Sequence, residues 1–373
     1  MESTQHLLGD ALHHATVVVG DLRAAARNYA ELLGIFQWQV FHASAENIGE
    51  TAAYGSTTPF TYATAVGANQ HGVTFRLVQP VDGFSSFTEL LLTRGPSIHS
   101  ICTGVLSPGQ MTALRLAPAC RDLADLQAET VDGVVRRVYL DTRAALGGFA
   151  VELLVPLTAD WDTAPKPDEL WDLQAEVQPP EEAQVLHQVP KIGHFGVAVL
   201  QLTARLPGFA RLLGLSHWSG VHFSSLPNGA LEQSTLNGQE VRHSFLLATA
   251  AASNFGFEVL QALAGPTHYR EGFIDRVGEG IHHLLLLPGL TEQQWLQLRN
   301  WMTGLGVPVA MSGRVRGGSA EFFYLDTRER LGFLIECIVR YPGKPAAPPP
   351  LPSQGRFTFD FPDLPGQSRD GQG

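Results

Sequence analysis

Short runs rich in β-branched residues alternate with helical patterns along this chain, and the order in which they alternate repeats. From Ala11 the run ALHHATVVV has the density of a buried strand, and Gly20-Asp21 then turns the chain. Asp21 is placed to cap the next segment, LRAAARNYAELLG, whose Leu22, Ala25, Ala26, Tyr29, Leu32 and Leu33 share one helical face before Gly34 stops it. Three strand-like runs follow, FQWQVFHAS, PFTYATAV and GVTFRLVQP. One strand, one helix and three strands make a βαβββ unit. A short helix, SSFTELLLTRG, leads to a second unit that begins at SIHSICTGV, carries a helix within SPGQMTALRLAPACRDLADLQ, and ends in VVRRVYLD and FAVELLVP.

The whole pattern then occurs again. VYLDTRAALGGFAVEL at Val138 to Leu153 is echoed by FFYLDTRERLGFLIEC at Phe322 to Cys337, and NYAELLGI at Asn28 to Ile35 by GFARLLGL at Gly208 to Leu215. The pairs His14/His194, Arg76/Glu258, Ser100/His283 and Glu152/Glu336 lie 180, 182, 183 and 184 residues apart, so the halves are duplicated modules that differ by short insertions. The second half reads HFGVAVL as strand, ARLPGFARLLG as helix, then HWSGVHFSS, VRHSFLLAT and NFGFEVLQA; HYREGFIDRVG is a short helix, GIHHLLLL a strand, TEQQWLQLRNWMTGLG a helix, and VPVAMSG, AEFFYLD and FLIECIV the closing strands. The expected fold is α+β, with four βαβββ units in two tandem modules at residues 8–157 and 190–340. Residues 158–189, rich in Pro and acidic residues, form a linker for which a helical turn is expected around Asp168 to Ala175. Residues 341–373 read as a Pro- and Gly-rich tail whose FTFDF core docks on the body, and the first nine residues as a loose arm.

Composition narrows the function. A 373-residue chain exceeds what one hydrophobic core usually serves, in agreement with two modules. The formal net charge of −11, without a long basic run, argues against nucleic-acid binding, which needs clustered Lys and Arg. Cys102, Cys120 and Cys337 are scattered and odd in number, which suits reduced, buried thiols and a cytoplasmic protein. No signal peptide and no membrane span is expected.

Chemistry concentrates in the second module. His194, Glu258, His283 and Glu336 are expected on four different strands, and they converge if the paired units curl into a half-barrel. Alternation along a strand lets only one of His282 and His283 face the trough, and alignment of the two units assigns His283 inward as a ligand and His282 outward, behind the ligands as a support for them. Two imidazoles and two carboxylates suit a divalent ion such as Zn, Ni, Co, Mn or Fe(II). The same positions in the first module read His14, Arg76, Ser100 and Glu152, where the Arg places positive charge at a ligand position, so that module is expected to be metal-free. The repeated Asp-Thr-Arg, Asp141 to Arg143 and Asp326 to Arg328, reads as turn and cap chemistry. Arg314 and Arg316, in a hairpin loop, are candidates for holding an anionic substrate, with His282 and Tyr324 beside them. Trp218, Phe223, Phe245, Phe257, Phe322 and Phe323 suggest a trough suited to an aromatic or apolar substrate body.

These features together resemble the vicinal oxygen chelate superfamily, the group of glyoxalases, bleomycin-resistance proteins and extradiol dioxygenases. The resemblance rests on the starts at His14 and His194, the YAELLG and FARLLG helix ends, GEGIHH, and the closing LGFLIE, and it covers about residues 8–157 and 190–340. It implies that His194, Glu258, His283 and Glu336 occupy the metal positions used by glyoxalase I and methylmalonyl-CoA epimerase. The implied activity is that of a lyase or isomerase moving a proton next to a carbonyl, with the substrate chelated through two oxygens and Glu336 or Glu258 as base. An Fe(II) extradiol-type dioxygenase needing only His194, His283 and Glu336 is the alternative, and a non-catalytic small-molecule-binding protein the second. Either a monomer or a homodimer is compatible with two modules in one chain.

Overall fold

The structure is a computed structural model, and it describes residues 6–8, 11–163, 165–227, 229–341 and 356–361. Most of the expected N-terminal arm and of the tail lies outside the described residues. Two mixed sheets carry the chain, and each is two βαβββ units joined through their first strands. In the first sheet His14–Val18 pairs antiparallel with Ser97–Val105, and each is flanked on its other side, in parallel, by the last strand of its own unit, Thr74–Asp82 or Ala150–Pro156. The second sheet repeats this plan with Phe195–Ala198 and Gly280–Leu290 at its centre, flanked by Gly256–Ala264 and Leu334–Arg340.

Local sequence explains the helices that cover each sheet. Asp21 accepts a hydrogen bond from the Ala24 amide at the start of Leu22–Leu33, and Gly34 ends that helix in the left-handed conformation. Glu292–Gly304 begins with a reciprocal cap between Thr291 and Gln294. The buried faces of these helices enter a common core that runs through both modules.

The sheets are widened in ways the hydrophobic pattern did not announce. Ile48–Ala53 adds to the edge of the first sheet against Asp125–Val131, and Leu231–Leu236 adds to the second against Val309–Val315. In the linker, Glu169–Asp172 is a strand on Gln37–Ala43, where a helical turn was expected. The tail segment Arg356–Asp360 adds to His217–Ser224 in the equivalent place, so its FTFDF core does dock. Each strand satisfies an edge whose backbone groups would otherwise lack partners.

The repeated Asp-Thr-Arg phrase joins the modules. Arg328 grips Asp326 through two hydrogen bonds, Arg143 grips Asp141 in the same way, and Thr142 and Thr327 donate to the carbonyls of Phe149 and Phe333. These brackets aim the two phenylalanines in opposite directions. Phe333 stacks on Phe75 and meets Tyr29 of the first module, while Phe149 stacks on Phe257 and meets Phe209 of the second. Gly147 and Gly332 both have positive φ, and a Cβ on either would lie under 3 Å from Val199 or Val17 of the other module. Tyr29 donates to the Leu331 carbonyl at 2.6 Å, closing the same contact. The turn reading of this phrase holds, but neither Thr142 nor Thr327 caps the short helix after it through its side chain, since each donates to a phenylalanine carbonyl instead, and the motif also locks one module to the other.

Candidate metal centre

Pairing along the centre of the second sheet brings the four candidate ligands together. Gly196 faces Glu258 on one side and His283 on the other, and Leu285 on the His283 strand faces Glu336. His194 stands one residue before the strand Phe195–Ala198 and reaches the same point. One nitrogen or oxygen atom from each of the four lies within 4.8 Å of the others. His194 Nε2 is 3.2 Å from His283 Nε2 and 2.9 Å from Glu336 Oε2, and His283 Nε2 is 3.3 Å from Glu336 Oε2 and 3.5 Å from Glu258 Oε1. All four are buried or nearly so.

The donor set fits a cation. Glu258 Oε1 and Glu336 Oε2 are buried without an aligned hydrogen-bond donor among the described residues, and two carboxylates share the space with two imidazoles. Buried carboxylates need compensation, and a divalent ion would supply it. In the protein without metal, burial pushes the His283 imidazolium down, but the adjacent Glu336 and Glu258 carboxylates, 3.3 and 3.5 Å away, outweigh it and hold the group up at about 9. Burial raises Glu336, yet His283 and His194 bring it down to about 2.

The His282-His283 pair corrects the alternation argument. The ladder between the two central strands slips between Gly196 and Val197, leaving His282 as an extra residue opposite neither. That bulge turns both rings to the same side. His283 lies 4.6 Å from the Tyr324 ring and His282 lies 5.4 Å from it, and Tyr324 is paired across the sheet with Glu336. His282 is therefore not outward; it is wholly buried among Tyr269, Phe273 and Tyr324. Its Nδ1 is 3.0 Å from His283 Nδ1, and its Nε2 is 2.8 Å from His268 Nδ1. Burial first, then His268 and His283, keep His282 well below the ordinary imidazole range, so it is neutral. With His283 Nε2 facing the other ligands, its Nδ1–H donates to His282, which in turn donates to His268.

The remaining candidates are placed as follows. Arg314 is held by Glu321 at 2.9 Å, and Arg316 donates to the Gly229 carbonyl at 2.6 Å; neither is brought to the four-residue cluster. Tyr324 donates to or accepts from Tyr269 at 2.8 Å and lies over His283. Of the six aromatics expected to line the trough, Phe223, Phe245 and Phe322 pack there, whereas Trp218, Phe257 and Phe323 face the helices. A recess of about 430 Å³ opens beside His194, walled by Lys191, Gly193 and residues from Thr249 to Phe257. Lys191 and Thr249 carried no signal in the sequence because neither repeats nor belongs to a ligand set.

In the first module, Glu152 takes hydrogen bonds from Thr16 at 2.7 Å and Ser100 at 3.2 Å, and Arg137 lies 3.2 Å and Arg76 3.7 Å away. His14 Nε2 is 3.3 Å from the same carboxylate. Arginines occupy the space where the second module gathers its ligands. His13, His14 and Cys102 also form a group of metal-binding side-chain types, one that spacing along the sequence did not reveal.

No protein-family model matches the sequence, and no curated protein matches it. Among solved structures, a triply substituted 4-hydroxymandelate synthase from Streptomyces coelicolor aligns over 89% of this chain and 93% of its own, at 14% identity and a TM-score of 0.53. The chain has the vicinal oxygen chelate fold. A Mn(II)-bound glyoxalase from Novosphingobium aromaticivorans aligns over 88% of this chain and 82% of its own, with 13% identity and a TM-score of 0.40. A methylmalonyl-CoA epimerase from Mycobacterium tuberculosis aligns over 42% of this chain and 94% of its own, with 21% identity and a TM-score of 0.31. Within the vicinal oxygen chelate fold, the concave face of each sheet is where His194, Glu258, His283 and Glu336, or their first-module counterparts, gather. No helix among the described residues is long and apolar enough to cross a membrane.

Proposed function

We propose that the second module binds one divalent cation through His194, Glu258, His283 and Glu336 and catalyses proton transfer at a carbon next to a carbonyl, as a lyase or isomerase of glyoxalase type. The observation that carries this reading is the position of Glu258, whose carboxylate joins the two imidazoles and Glu336 within one 4.8 Å group. A bound ion would supply Lewis-acid polarisation of a substrate chelating through two oxygens. Glu336 or Glu258, both buried, would accept the proton from carbon and return it. His282 and His268 fix the ring of His283 by hydrogen bonding, and Tyr324 covers that ring. Substrate would reach the cluster from the recess beside His194.

The test is metal analysis of the protein and of its His283→Ala and Glu258→Gln variants, combined with solvent deuterium incorporation into α-hydroxy ketones, hemithioacetals and 2-methyl thioesters. Zinc, nickel, cobalt or manganese lost in both variants, with deuterium incorporated at the carbon next to the carbonyl, supports the proposal. A second reading keeps His194, His283 and Glu336 alone as an Fe(II) triad for ring cleavage, and the two-module layout with one intact cluster favours it. Iron that survives loss of Glu258, with oxygen consumed in the presence of catechols, would replace the first reading by this one. Absence of stoichiometric metal would leave a small-molecule-binding protein.

A further inference from the structure

The first module, whose ligand cluster is broken, keeps an open trough. A cavity of about 660 Å³ lies on the concave face of its sheet, lined on the linker side by Trp161, Asp162, Pro165, Lys166 and Asp168. The ladder registers show why this trough is open and the other is filled. Ala43 stands where the second module has Phe223, Thr64 where it has Leu247, and Arg137 where it has Phe322. Phe223, Phe245 and Phe322 pack together across the second trough. Two of those three large apolar side chains are absent from the first.

The floor of the cavity is positively charged. Arg76 and Arg137 both approach one carboxylate oxygen, Glu152 Oε1, while Thr16, Ser100 and His14 occupy its other oxygen. The only other carboxylate at this depth, among the described residues, is Glu129, which burial holds above its ordinary range. Two guanidiniums thus share one oxygen of Glu152, while Glu129 accepts from Tyr62, Gln127 and Tyr139. Arg76 is 1% exposed, and its Nε and Nη2 meet no acceptor among the described residues, an arrangement that is costly without a further partner. Around the mouth stand Lys166 and three carboxylates, Asp132, Asp162 and Asp168, so a second negative charge at the outer end of a ligand would be repelled. Between floor and mouth, Phe41, Tyr62 and Trp161 offer flat apolar surface.

We propose that the first module is a metal-independent binding site for a small organic monoanion, a carboxylate with a planar body, whose charged end meets Arg137 and Arg76. The volume suits a ligand of that size. Glu152, in this reading, holds the two arginines in place and is not a remnant ligand.

The experiment is calorimetric titration of the full chain with benzoate and 3-phenylpropionate, with benzyl alcohol and benzylamine as controls. Two variants modify the cavity separately: Ala43→Phe fills it with the side chain the other module carries, and Arg137→Leu removes a charge while keeping bulk. A His283→Ala variant disables the cluster in the second module. Circular dichroism and the metal content of the second module establish that the first two variants remain folded. The expected result is one carboxylate per chain, bound equally well by the His283→Ala variant, weakened roughly tenfold or more by Arg137→Leu, and abolished by Ala43→Phe. Four results overturn the proposal: no heat with either carboxylate at millimolar concentration, binding that both cavity variants leave intact, equal binding of benzyl alcohol, or binding lost with His283.

Discussion

The ring of His283 lies directly against Gly196, so close that a Cβ at that glycine would come within 2.0 Å of the imidazole. The residue at the same place in the first module is Thr16, and the residue facing it is Ser100. One module has a glycine and an imidazole; the other has a hydroxyl side chain and a serine in the same volume, both bonded to Glu152. The cluster therefore depends on a residue that has no ligand atom of its own.

Replacing Gly196 with Thr should displace the His283 ring and remove the metal while leaving the fold intact, since the first module already accommodates Thr there. Metal content should fall to the level of His283→Ala, with an unchanged far-ultraviolet dichroism spectrum. A Gly196→Thr protein that binds metal normally would contradict the packing argument.

Metal affinity should rise with pH. His283 holds a proton up to about 9 in the metal-free protein, and a cation must displace it to bind Nε2. Between the ordinary imidazole range and about 9, affinity should increase by roughly tenfold per pH unit for the one proton released. The stability of the metal-free protein should move the opposite way over this window. A His raised in the folded state stabilises it fully below its unfolded pKa and loses that contribution as pH rises through about 9. Glu336, lowered to about 2, contributes above its unfolded pKa and loses this as pH falls toward 2. Titration of metal binding at several pH values, beside thermal unfolding of the metal-free protein, checks both signs.

Substituting His282 with Phe should weaken metal binding by roughly 10- to 100-fold without removing a ligand, because the ring then cannot accept from His283 Nδ1 or donate to His268. His282→Gln, which keeps a hydrogen-bonding side chain, should lose less. Equal affinities in the two variants would show that the hydrogen-bonded histidines do not position the ligand.

Phe149 and Phe333 should matter far more to stability than other aromatic residues at module surfaces. Each is 1% exposed and buried in the opposite module. Phe333→Ala and Phe149→Ala should each cost about 3–5 kcal/mol, as for other large-to-small changes in a core. Thermal or denaturant unfolding followed on both modules would show it, and a loss confined to the module that carries the substitution would contradict a shared core.

Much of this architecture could be read from the chain itself. Duplicated phrases and period-two runs are properties of neighbouring residues, so the four βαβββ units, the helix Leu22–Leu33 and the four candidate ligands are legible in the sequence. Arg76 opposite Glu258 already announced that the two modules differ in chemistry. What the pattern could not show depends on contacts between residues distant along the chain. Alternation assigned His282 outward because it assumes an unbroken ladder, and only the pairing of two strands reveals a bulge. The strand Glu169–Asp172 is only four residues long, too short to show a period, and it pairs along the edge of Gln37–Ala43, which needs hydrogen-bond partners. The Asp-Thr-Arg repeat was legible as a turn, whereas its exchange of Phe149 and Phe333 between modules requires both cores to be in place. Local periodicity and composition set the elements and the ligand types. Tertiary structure alone decided which side chains share a space, because packing sets Gly196 under His283 in one trough and Thr16 beside Ser100 in the other.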